Sequence, residues 1–85
     1  MIEKIAQEIK IILMDDYGVT ESDIYPDAKM KDMGLDSLDS VELSMNVETH
    51  FNIHMADRDY ERIETYWELV SYVNDQIENR APVRN

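Results

Sequence analysis

The sequence predicts an all-α bundle of three longer helices and one short one. Three observations carry that expectation. Apolar residues recur at three- and four-residue steps in three separate stretches. Helix-boundary residues stand where the first stretch ends and the last begins. No segment alternates apolar and polar residues well enough to compete as a strand.

Ile2, Ile5, Ala6, Ile9, Ile12 and Leu13 form one stripe of a first helix. Gly18 stands where a helix end favours a residue that tolerates positive φ, so this helix is expected to stop near Tyr17. Residues 18–36 follow as a long connection. A structureless loop of that length is uncommon in a compact domain. Val19, Ile24, Met30, Met33 and Leu35 are spaced to pin it onto the bundle.

The stretch 38–51 contains no Gly or Pro. On a helical wheel Leu43, Val47 and Phe51 fall together, with Leu38, Val41 and Met45 in a neighbouring group. Ser40 and Ser44 lie between the two groups, and Glu42, Asn46, Thr49 and His50 occupy the other side. Residues 57–63 supply a short helix with Tyr60 and Ile63 inward. Thr65-Tyr66-Trp67-Glu68 then reads as a capping box, with Thr65 as N-cap and Glu68 reaching back. Tyr66, Leu69, Val70, Val73 and Ile77 form the last buried stripe, and Pro82 lies beyond it. Residues 1–79 are expected to make a single domain, with 80–85 a short flexible tail.

Composition limits what such a bundle does. Eighty-five residues allow one small domain, which buries only about 60% of the surface its unfolded chain shows. A deep enclosed active site is hard to build on that core. Eight Lys and Arg against nineteen Asp and Glu leave a net charge of −11. That balance argues against binding nucleic acid or adsorbing to anionic membranes, both of which reward basic faces. It favours partners with basic patches. Without Cys there is no disulfide framework, no thiolate metal site and no nucleophilic thiol in the chain itself. The longest apolar run, residues 11–14, is far short of a membrane span, and the start lacks a targeting pattern. A cytoplasmic monomer is expected.

The informative segment is Gly34-Leu35-Asp36-Ser37-Leu38-Asp39-Ser40-Val41-Glu42-Leu43. A Gly ends the loop and a Ser stands at a helix start flanked by acids. Orphan N–H groups and the positive dipole end favour an anion there, such as a phosphate esterified to Ser37. Taken alone, the same residues fit an ordinary N-cap by Ser37 or Asp36. Asp36-Ser37-Leu38 within this run resembles the phosphopantetheine attachment motif of acyl carrier proteins. Val47-Glu48-Thr49-His50-Phe51 resembles the end of that family's second helix, and length, acidity and helix order agree over nearly the whole chain.

The resemblance implies a free-standing carrier rather than a catalyst, with a four-helix acyl-carrier-like fold. A phosphopantetheinyl transferase would move 4′-phosphopantetheine from coenzyme A to Ser37, with Asp36 and Leu38 completing the attachment motif. The arm's thiol would hold acyl groups as thioesters and present them to enzymes with basic docking patches, in fatty-acid, polyketide or a specialised acyl pathway. Asp36, Leu38, Asp39, Glu42, Met45 and Glu48 match positions on the face partners recognise. Residues 32–57 hold six acids and no Lys or Arg, in keeping with such a face. Ser40, Ser44, Val47, Phe51, Tyr60 and Ile63 match the acyl cavity.

Departures from the family pattern sharpen the expectation. Thr49 and His50 interrupt its usual acidic run, Lys29 replaces a common large apolar residue, and Ala56 a common Pro. Ser44 stands where the family is usually aliphatic and Tyr60 where it is usually small; either Tyr60 partners the Ser44 hydroxyl, or Ser44 bonds its own preceding turn and Tyr60 lies on the surface. The cavity is then smaller or more polar than in a housekeeping fatty-acid carrier, and the cargo short, polar or outside the bundle.

Competing functions fit less well. A peptidyl, D-alanyl or aminoacyl carrier stays open, as does an unmodified acidic helical interaction module. A Ser37 hydrolase has no nucleophile elbow, and His50 lies more than three turns along the same helix. His50 and His54 have a metal pair's spacing, but no third ligand is evident, so no metal is expected and surface positions are. Trp67 beside Tyr66 is expected to be half-buried packing rather than a binding platform.

Overall fold

The computed structural model describes residues 1–79; the tail expected at 80–85 lies outside the described residues. Four helices are present: α1 (Ile2–Tyr17), α2 (Ser37–Phe51), α3 (Asp57–Glu61) and α4 (Tyr66–Glu78). No strand forms among the described residues. α1 stops where expected, because Gly18 takes a left-handed conformation at φ 69° and its N–H bonds the carbonyls of Leu13 and Met14.

α1 and α4 pack together and carry half of the buried core. Ile5, Ile9, Ile12 and Leu13 meet Tyr66, Leu69, Val70 and Val73, with Leu43 and Val47 of α2 closing the third side. The Tyr66 hydroxyl donates to the Ala6 carbonyl at 2.6 Å, satisfying its one polar atom inside this packing. Trp67 is half-buried, edge-on to Tyr66 with ring centroids 6.3 Å apart, in accord with packing.

The long connection is not structureless. It carries two 3-10 turns, Glu21–Asp23 and Met30–Met33, and buries Val19, Ile24, Met30 and Met33 as the spacing predicted. What the sequence did not reveal is how it is stitched to α4. Met30 N–H donates to the Glu64 carbonyl, Tyr66 N–H to Ala28 and Trp67 N–H to Pro26, at 2.8, 2.9 and 3.1 Å. Two of the orphan N–H groups at the start of α4 are thereby satisfied by loop carbonyls. The Thr65–Glu68 capping box forms as read: Glu68 N–H donates to Thr65 Oγ1 at 3.1 Å, and Thr65 N–H to Glu68 Oε1 at 3.2 Å.

Candidate functional site

Gly34 ends the second 3-10 turn in the left-handed region at φ 80° and turns the chain into α2. Asp36 then caps the helix. Its Oδ1 accepts from Asp39 N–H at 2.8 Å while Asp39 Oδ2 accepts from Asp36 N–H at 3.3 Å. Capping therefore falls to Asp36, and Ser37 occupies the first helical position, exposed and with its hydroxyl uncommitted. The other two serines of α2 have neighbours. Ser44 Oγ donates to the Val41 carbonyl at 2.7 Å, and Ser40 lies near enough to the Tyr60 phenol to influence it.

Of the two alternatives for Ser44, the bond to its own preceding turn is the one that forms; Tyr60 is not its partner, nor does Tyr60 lie on the surface, since it packs against the core. A carbonyl three residues back is always within reach of a helical Ser, whereas Tyr60 sits one turn nearer the start of α2. Burial raises the Tyr60 phenol above its usual range, and Ser40 opposes that shift in part.

The six expected recognition residues divide by chemistry. Leu38 and Met45 are 80% and 54% exposed, and Val41 between them is 58% exposed. Of the two apolar groups on this helix, only the other enters the core, with Leu43 and Val47 fully buried and Phe51 packed against it. The wheel did not say which group faced inward, and Val41 was not singled out. The carboxylates around this apolar strip are held in place. Asp36 and Asp39 cap each other, and Glu42 lies near enough to the Tyr17 phenol to raise it. Glu48 Oε2 accepts from Met55 N–H at 2.7 Å and lies 3.5 Å from His54 Nδ1. Glu48 is thus a tie for the α2–α3 link as well as a surface charge. Tyr17 also accepts from Asn46 Nδ2 at 2.9 Å, and burial together with Glu42 pushes its phenol up to about 12.

An open groove of about 640 Å³ runs beside Ser37. Ser40, Tyr60 and Ile63 line it together with Leu35, Val41, Glu61 and Glu64, and with Lys29 and Lys31 from the connection. Of the expected cavity residues, Val47 is fully buried in the core and Phe51 packs against it. Ser44 is spent on its own helix. An acyl chain entering the bundle would have to part that packing. The groove-lining lysines and glutamates were not singled out as site residues, because only the stitching of the loop to α4 brings them to Ser37.

His50 and His54 are both exposed and do not converge. His50 Nε2 lies 2.7 Å from Glu8 Oε1 on α1, while His54 faces Glu48. No cluster of three or more His, Cys, Asp or Glu able to hold a metal occurs among the described residues. Nor is any described helix long and apolar enough to cross a membrane.

Residues 7–73 match the family described as "Phosphopantetheine attachment site". Over 76 residues the chain is 38% identical to an acyl carrier protein of Thermotoga maritima, covering 88% of this chain and 94% of that protein. It is 36% identical over 80 residues to an acyl carrier protein of Cyanidium caldarium, covering 93% of each. A crystal structure of an acyl carrier protein from Thermotoga maritima superposes with a TM-score of 0.82 at 21% identity, covering 94% of both chains.

Proposed function

The chain belongs to the acyl carrier protein family, and on that premise we propose that Ser37 is the residue that takes the 4′-phosphopantetheine arm. The observation that carries the assignment is the division of labour at the start of α2. Asp36 satisfies the helix end, so the exposed Ser37 hydroxyl is left to react, while Ser44 is hydrogen-bonded to its own helix and Ser40 is half-buried beside Tyr60. The donor set fits the group, since a hydroxyl supplies the ester oxygen. The adjoining helix N-terminus favours the phosphate's charge.

In the loading step a phosphopantetheinyl transferase supplies the base. Ser37 Oγ forms a bond to the phosphorus nearest the pantetheine of coenzyme A, the bond to adenosine 3′,5′-bisphosphate breaks, and the hydroxyl proton leaves. The bound arm supplies the thiol that the chain lacks and holds acyl groups as thioesters. The protein's own residues present that arm. Leu38, Val41 and Met45 offer apolar contact area, and the fixed carboxylates of Asp36, Asp39, Glu42 and Glu48 steer basic docking patches of acyl-transferring and acyl-modifying enzymes. The groove beside Ser37 interleaves hydroxyl and charged groups with the apolar Leu35, Val41 and Ile63, and its mixed walls favour a short or polar cargo, aminoacyl groups included, over a long alkyl chain. The protein works as a cytoplasmic monomer.

Loading tests the assignment. Incubation with coenzyme A and a broad-specificity transferase is expected to add one phosphopantetheine by intact mass, and none to Ser37→Ala. No gain in the unaltered chain would refute it.

A further inference from the structure

Two cations face the candidate site without a partner. Lys29 and Lys31 line the same groove as Ser37 and are the only basic residues along it among the described residues. Neither makes an ion pair among the described residues, whereas Lys10 reaches Glu21 at 3.5 Å. Their setting is otherwise hostile to an anion. Asp36 and Asp39 flank the attachment position, and Glu61 and Glu64 line the groove as well. A phosphodiester on Ser37 adds a further negative charge to that surface, and the α2 dipole offsets only about half a charge. The two ammonium groups are the remaining compensation on the groove's own walls.

Resting on the assignment of Ser37 above, we infer that Lys29 and Lys31 hold the phosphodiester of the arm and lay the arm along this groove. The rest of the groove is complementary to the rest of the arm. Its two amide N–H groups find acceptors in the Glu61 and Glu64 carboxylates, and its dimethyl carbon finds apolar surface on Leu35 and Ile63. The lysines are positioning residues. They touch the arm's phosphate and set where the thiol rests between encounters. Because the contact is between surface charges, added salt loosens it.

The test loads the full chain with isotope-labelled phosphopantetheine, checks each sample by intact mass, and follows the arm by NMR. In the unaltered protein, nuclear Overhauser contacts are expected from the pantoyl methyls to Leu35 and Ile63, with arm amides tumbling with the domain. Lys29→Gln with Lys31→Gln is expected to abolish the contacts and return the amides to the fast motion of free phosphopantetheine. Lys29→Arg with Lys31→Arg restores them. Lys4→Gln, which removes an exposed cation from α1, leaves them intact. Both groove lysines are exposed, and the amide spectra of the unloaded variants check that the fold is kept. A mass gain with an arm as mobile in the unaltered protein as in solution overturns the inference and leaves Ser37 standing. Contacts that survive the double Gln variant overturn the role of the lysines. No mass gain overturns the assignment of Ser37 and this inference with it.

Discussion

Asp36 and Ser37 show how neighbouring residues divide two tasks at one helix start. Replacing Asp36 by Ala removes the reciprocal cap and is expected to cost about 1 kcal/mol in a denaturant melt, while Asn retains most of it. A cost below the scatter of the melt would mean the cap adds nothing beyond what water supplies. Tyr17 gives a pH-dependent counterpart. Its phenol is raised from 10.0 to about 12, first by burial and then by Glu42, so the folded state favours the protonated form. The stability it contributes is fully present below pH 10 and is lost as pH rises through about 12. Burial shifts Tyr60, Tyr66 and Tyr72 the same way, reinforcing the alkaline loss. In a phenolate absorbance titration Glu42→Gln is expected to lower the Tyr17 midpoint; an unchanged midpoint would remove Glu42 as a cause. At this scale the sequence was legible where the partner is local. The Thr65–Glu68 box was visible because four consecutive residues contain it, but Ser40 and not Ser44 meeting Tyr60 depends on where α3 docks.

Among the elements, α2 bears the proposed attachment and docking residues, and it carries two apolar faces of different fate. Leu43 and Val47 are fully buried, while Leu38, Val41 and Met45 face outward. Leu43→Ala is expected to cost about 2–5 kcal/mol of stability, as large-to-small core changes do. Leu38→Ala or Met45→Ala is expected to stay within about 0.5 kcal/mol of the parent and instead to weaken docking of a partner enzyme. Comparable melts for Leu38→Ala and Leu43→Ala would show that the outward face is also packed. Periodicity located this helix and both groups but not which one the core takes, because α1 and α4 make that choice. Likewise, apolar spacing showed that residues 18–36 are pinned. It did not show that their carbonyls close the start of α4, which is what brings Lys29 and Lys31 beside Ser37.

For the molecule as a whole, the net charge of −11 strains the fold, whatever it adds to the proposed docking. Within residues 32–57 no Lys or Arg dilutes the carboxylates, and two of the cross-links that oppose the repulsion are His50–Glu8 and Lys10–Glu21. Raising ionic strength from about 0.01 to 0.15 M shortens the screening length from about 30 to 8 Å, and Tm is expected to rise across that interval. A falling Tm would mean that the local pairs outweigh the long-range repulsion. On the proposed assignment, the chemistry of a chain without Cys falls to a thiol borrowed through Ser37. Fragmentation mass spectrometry of the loaded, unaltered protein tests that most directly. The added phosphopantetheine is expected on Ser37 alone, with Ser40 and Ser44 unmodified. Its appearance on either of those serines, or on a Ser37→Ala chain, would contradict the account.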